Sequence, residues 1–452
     1  MSDRLDVIAH SSPRARQLAG YPEWLRQRLA WFQDLKFGLI LHWGPYSQWD
    51  CCESWPLVPA DTWARPADLD CWNARGRDLE RFSADYRALH RTFHPTDFDP
   101  DAWADAAAGA GARYVCFTTR HHDGFCLWDT RTSDYRITHP DCPFSADPRA
   151  DVVRGVFDAC RARGLAISAY YSKSDWHVPW YWDPARPIVD RNPNYDTAAE
   201  PERWARFVAY VHAQVRELLT CYGPVDILWL DGGQVRPPRQ DIRMDELAAM
   251  ARALQPGLII ADRTVGGAHE NFITPEHEIL AEPIDFPWES CLTLGNGWKY
   301  SPGKMAYPPV SQTLGQLIDI VAKGGNLLLG VGPTPAGTFD PVARERLREI
   351  GAWLAVNGEA IYGTRPVAPY REGDVCYTRR GATTYAIVLA SDPPPAQVVV
   401  RGGYDSVRLL GHEEPLRWRV SDGATVVELP ACKPCDHAWT LALNGPPASH
   451  EC

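Results

Sequence analysis

At 452 residues, 45% of them hydrophobic, the chain exceeds one ordinary domain and carries enough apolar side chain for a large core. Its net charge of -11 argues against nucleic acid as the main partner. No run approaches the roughly 18 apolar residues of a membrane span. The opening "MSDRLDVIAHSSPRARQLAG" has no apolar h-region, so no secretory signal is expected and a cytoplasmic protein is. From about residue 36 to 340, short apolar runs alternate with helical patterns. The runs "FGLILHWG" (37–44), "YVCFTTRHH" (114–122), "LAISAYYS" (165–172), "VDILWLDGG" (225–233), "LIIADR" (258–263) and "GNLLLGVGP" (325–333) read as buried strands. Helical patterns at 100–112, 150–164, 201–223 and 244–257 precede the second to fifth of these. This alternation predicts a parallel sheet covered on both faces.

A doubly wound sheet is the competing architecture, but no G-x-G-x-x-G follows the first strand. The placement of polar residues favours a (β/α) TIM-like barrel, because His42, His121, His122, Tyr171, Asp231 and Arg263 all fall at carboxyl ends of strands. After "GTRPVAPYREG" the pattern changes to alternating apolar and polar residues between turns. This predicts a small C-terminal antiparallel β-sandwich, 366–452, behind a catalytic barrel spanning 1–365. The 19 tryptophans provide flat apolar faces suited to sugar rings, and about a third are expected to line a cleft. Thirteen scattered cysteines read as reduced, buried thiols, and "CKPC" at 432–435 supplies too few ligands for zinc.

In "VDILWLDGGQ", period-two alternation puts Trp229 and Asp231 on one face of the strand. Two roles are open to Asp231: a nucleophile at the barrel mouth, or a cap for the turn at Gly232 and Gly233. Retaining glycoside hydrolysis needs a second carboxyl about 5 to 5.5 Å away. Glu276 in "FITPEHEI", Glu278, Glu282 and Glu289 in "PWESC" are the candidates. A loop position after Thr-Pro suits Glu276 as a mobile acid/base, and burial against Trp288 would raise Glu289. Adjacent side chains on a strand face opposite ways, so His121 and His122 both reach the site only if the strand ends there. Asp123-Gly124 is a good ending. With His42 they suit hydrogen bonding to a polyol; the usual metallohydrolase H-x-H and H-E-x-x-H patterns are missing, so neither metal nor cofactor is expected.

The motifs "KFGLILHWGPYS", "YVCFTTRHHDGFCLWDT", "VDILWLDGG", "PWESC" and "GGNLLLGVGPTPAGTFD", in that order, resemble the α-L-fucosidase family of glycoside hydrolases. The resemblance implies a barrel followed by a sandwich, and metal-free retaining exo-hydrolysis of terminal α-L-fucose from fucosylated glycans or glycosides. It implies Asp231 as nucleophile and Glu276 as acid/base, with Glu289 as alternative. His42, Glu53, Trp55, His121, His122, Tyr171, Trp229 and Arg263 are then the sugar-binding positions. Three segments depart from the family pattern. They are "QWDCCESWPL" in the first loop, Gly330 where Asn is usual, and a Trp-rich "SKSDWHVPWYW" after the third strand. Two other functions compete: a related glycosidase for another neutral or deoxy sugar, and a non-catalytic sugar-binding barrel.

Overall fold

The computed structural model describes residues 18–389, 395–431 and 434–445. Seven strands form one parallel sheet: β1 Phe37–Leu41, β2 Tyr114–Arg120, β3 Ala166–Ser172, β4 Ile227–Asp231, β5 Ile259–Asp262, β6 Glu289–Thr293 and β7 Asn326–Gly330. Their order is β5-β4-β3-β2-β1-β7-β6. The two edges are joined through residues 270–277. Asn271 N–H donates to Ile260 O at 2.9 Å on the β5 side, and Cys291 N–H donates to Pro275 O at 2.8 Å on the β6 side. Bridges at Ile273–Trp288 and Glu276–Cys291 continue this closure. The curled sheet is therefore a barrel whose eighth stave is an irregular segment that carries Glu276.

Burial on both faces explains why six strands read as continuous apolar runs. The seventh, β6, was not anticipated as a strand, because "ESCLT" mixes a carboxylate and a hydroxyl into a short run. Alternation sorts the side chains. Ile40, Cys116, Tyr170, Trp229, Ala261, Cys291 and Leu328 fill the barrel, whereas Leu39, Val115, Ala169, Leu228 and Leu327 meet the surrounding helices. The helices at Pro100–Gly109, Val152–Ala162, Pro201–Cys221 and Met244–Leu254 occupy the anticipated segments. The first begins with Asp99 accepting from the N–H groups of Asp101 and Ala102, with proline in the first turn.

A helix at Glu23–Leu35 closes the amino-terminal end of the barrel. Leu25, Leu29 and Phe32 recur at helical spacing and turn one face inward. Phe32 stacks on Phe272 at 4.3 Å and meets the edge of Tyr114 at 6.0 Å. Beyond the barrel, Arg365–Glu372 opens a five-stranded antiparallel sheet, and a three-stranded antiparallel sheet completes the C-terminal region. No helix among the described residues is long and apolar enough to cross a membrane. The described cysteines are free thiols, most of them buried; Cys432 of "CKPC" lies outside the described residues.

Lys36, between that helix and β1, is fully buried, and its Nζ has no hydrogen-bond partner among the described residues. Burial, with Arg365 adding to it, pushes the amine down to about 7. An unfolded lysine titrates near 10.4. Between these values the unfolded chain holds a proton that the folded chain lacks, so this residue's contribution to stability rises with pH across that window. Lys36→Met is expected to raise the melting temperature by about 2 to 4 °C at pH 6. The gain should shrink by pH 9.5. Calorimetry at both pH values checks this, and an equal shift at both would refute the burial argument.

Candidate active site

At the carboxyl ends of the strands lies a cavity of about 750 Å³. Asp231, the last residue of β4, lies on its floor. Gly232 follows with φ of 95°, a conformation that favours glycine, and turns the chain away immediately. A Cβ on Gly233 would lie 1.8 Å from Thr264 Oγ1, so the second glycine is needed for close approach to the β5 loop. The Asp231 carboxylate does not cap this turn. Its Oδ1 accepts from Arg263 Nη1 at 3.0 Å, and its Oδ2 accepts from Tyr170 OH at 2.7 Å and lies 3.4 Å from His122 Nε2. Burial opposes the charge, but Arg263, then His122 and Tyr170, outweigh it and hold Asp231 well below the usual carboxylate range. It is an ionised, oriented anion.

The other Nη of Arg263 donates to Glu276, and its Nε donates to Thr274 Oγ1 at 3.0 Å. One guanidinium thus holds both carboxylates on one side of the cavity, as a forked donor can. The guanidinium also lies 4.7 Å over the Trp229 ring.

The histidine pair owes its orientation to a bulge. The β2–β3 register shifts between Thr118 and Arg120, so Arg120 faces outward opposite Tyr171. There it pairs with Asp175 at 2.7 Å and with Gln214 at 2.8 Å in a buried network. The strand stops at Arg120, and Gly124, at φ of 86°, donates its N–H to His121 O at 3.1 Å. Both histidines consequently reach the cavity. Their Nδ1 atoms are engaged by serine hydroxyls, His121 by Ser54 at 2.6 Å and His122 by Ser174 at 2.7 Å. His42 completes the group, 5.9 Å from His121 between ring centres. Burial lowers all three, His42 to about 4, so they are neutral near pH 7. A neutral imidazole both donates and accepts, as sugar hydroxyls require.

The cavity brings together His42, Glu53, Trp55, His121, His122, Trp229, Asp231, Arg263 and Glu276. It does not include Tyr171 or Glu289. Tyr171 faces the helices, its hydroxyl donating to Gln214 at 2.9 Å; its neighbour Tyr170 pairs across the sheet with Trp229 and points to Asp231. The period-two rule that placed Trp229 also distinguishes the two tyrosines, once the β3–β4 register is known. Glu289 opens β6 inside the barrel, beneath Trp229. It accepts from Trp229 Nε1 at 3.0 Å and from Tyr114 OH at 2.5 Å, and burial raises it to about 7. The raised pKa expected for it is present, but the position faces the closed end and not the mouth.

Glu53 is buried, with φ of 36°, a costly conformation for a non-glycine residue. Burial raises its carboxyl to about 7, with Lys299 opposing and Glu276 adding to the rise. Four tryptophans line the cavity, Trp55, Trp63, Trp229 and Trp298, fewer than the expected third. Trp176 and Trp182 of the Trp-rich loop stack on each other at 5.1 Å, buried behind His122. Trp63 and Trp298 were missed because "DTW" and "NGW" sit in irregular loops without periodicity. Gly330 has a packing reason: a Cβ there would lie 2.6 Å from the Trp298 ring. Among the described residues, no cluster of three or more His, Cys, Asp or Glu side chains could hold a metal ion.

The α-L-fucosidase family profile matches residues 15–359. The human plasma α-L-fucosidase is 30% identical over 96% of this chain and 94% of its own. The human tissue α-L-fucosidase is 29% identical over 97% and 94%. Among solved structures, α-L-fucosidase isoenzyme 1 from Paenibacillus thiaminolyticus superposes with a TM-score of 0.77 at 30% identity, covering 93% of this chain and 99% of that one. The Thermotoga maritima α-fucosidase in complex with a mechanism-based inhibitor gives 0.74 at 28% identity, covering 93% and 98%.

Proposed function

The chain belongs to the α-L-fucosidase family, and from that premise we propose that it hydrolyses terminal α-L-fucosides with retention, using Asp231 as nucleophile and Glu276 as acid/base. The observation that carries the assignment is the single guanidinium of Arg263 shared by the two carboxylates at the cavity floor. Asp231, kept ionised, attacks the anomeric carbon and forms a fucosyl ester. Glu276 protonates the departing oxygen, then takes a proton from the water that opens the ester. Tyr170 donates to the Asp231 oxygen that must regain its charge in the second step, and His122 lies 3.4 Å from it. His42, His121 and the Trp55 and Trp229 rings supply hydrogen bonds and apolar faces to the sugar. Incubation with a slow fluorinated fucosyl donor, followed by peptide mass analysis, tests the assignment. A label on Asp231 supports it, and a label on any other carboxylate overturns it.

Glu53 sets the expected alkaline limit. Below about pH 7 its carboxyl is neutral and able to donate a hydrogen bond; above, it adds a negative charge close to Glu276. The ratio kcat/KM is therefore expected to fall as pH rises through about 7. Glu53→Gln keeps a neutral donor and should flatten that limb. An unchanged limb would assign it to another group. A loss confined to poor leaving groups and rescued by azide would move the acid/base role from Glu276 to Glu53.

A further inference from the structure

Fucose does not account for the whole cavity. A volume of about 750 Å³ belongs to the range that holds drug-sized ligands, well beyond one deoxyhexose. Its outer wall carries Trp63, 57% exposed, the most exposed large aromatic side chain among the described residues. An indole left in water has no packing reason to hold one position, yet this one is held. Trp63 Nε1 donates to Asp61 Oδ1 at 3.2 Å. Asp61 is itself buried and also receives Arg191 through Nε at 2.8 Å and Nη2 at 2.9 Å. Arg191 lies 4.4 Å over the Trp55 ring, and Ala60 N–H donates to Val189 O at 3.0 Å. The loops after β1 and β3 are thereby tied into one wall.

Trp55 stands between the two regions. Its ring is 5.1 Å from His122 on the floor side and 6.1 Å from Trp63 on the outer side. We propose that Trp63 is the stacking platform for the leaving sugar, and that the rim around it selects against a leaving sugar bearing an acidic group. This rests on the fucosidase reading of the floor and adds a residue and a rim that choose among leaving groups. A pre-positioned ring offers an apolar face to the C–H side of a sugar at little ordering cost. The selection follows from the charges of the rim. Arg191 is matched by Asp61, and Lys304 is matched by Asp50 at 2.7 Å and Asp70 at 3.1 Å. Lys299 on the same lining is buried and its Nζ is taken up by the Trp49 and Tyr300 carbonyls. None of these three cations is left for a sialyl or sulfate group, while Asp68 and Glu278 on the same lining would repel one.

The test compares two donors in wild type, Trp63→Ala and Trp63→Tyr. One donor is α-L-fucosyl fluoride, whose leaving group has no ring. The other is a fucosyl disaccharide with a neutral hexose as leaving group. Trp63→Ala should lower kcat/KM for the disaccharide about tenfold, the size of one aromatic contact. The fluoride value should stay within about twofold. Trp63→Tyr should restore most of the disaccharide rate. Equal losses on both donors, or no loss on the disaccharide, would overturn the platform while leaving the fucosidase reading intact. A wild-type protein that cleaves neither donor would remove that reading and the platform with it.

Discussion

Replacing Asp231 by alanine is expected to lower the turnover of an aryl fucoside by at least about a thousandfold, because the covalent step loses its nucleophile. The fold should survive. Asp231 is the last residue of β4 and its partners are side chains at the mouth, not the apolar layers below. Removing the carboxylate leaves the Arg263 guanidinium, still paired with Glu276, facing an anion-sized gap. Added azide should fill that place, attack the anomeric carbon and restore part of the turnover. Chromatography of the fucosyl azide, with circular dichroism of the variant, makes the measurement. Near-normal hydrolysis without azide would refute the nucleophile role.

Glu276→Ala should show a different signature. A low-pKa aryl group leaves with little help, so fucosyl-enzyme formation from a nitrophenyl fucoside should be nearly intact. The second step still needs a base, so the intermediate accumulates, giving a burst and a low KM. A fucosyl disaccharide needs the acid in the first step and should lose on the order of a hundred- to ten-thousandfold. Azide should rescue the aryl substrate by attacking without a base. Glu289→Ala should do none of this. Removing it strands Trp229 Nε1 and the Tyr114 hydroxyl inside the barrel, at a cost of about 1 to 3 kcal/mol each. Its effect should appear as a lowered melting temperature and a similar loss on both substrates. Leaving-group dependence in Glu289→Ala and not in Glu276→Ala would exchange the roles.

The local sequence determined what depends on neighbours in the chain. Strands buried on both faces must be apolar throughout, so six staves, their alternation with helices and the polar residues at their ends were readable from "FGLILHWG" to "GNLLLGVGP". Alternation alone placed Trp229 and Asp231 on one face. The ending "HHDG" explained how two adjacent histidines share a site, and the resemblance to fucosidases supplied candidate roles. The tertiary structure decided everything that depends on register and on which segments meet. Tyr170 rather than Tyr171 reaches Asp231 because β3 pairs with β4 as Tyr170 opposite Trp229, a relation between strands more than 50 residues apart. Glu289 became an interior residue because a short mixed run, unremarkable by itself, is held as a stave between β7 and the segment that carries Glu276. The raised pKa of Glu53, and the setting of Trp63 by Asp61 and Arg191, come from loops of different strands packing together. Hydrophobic periodicity is a property of one segment; the dielectric and the hydrogen-bond partners of a side chain are set by the others that surround it.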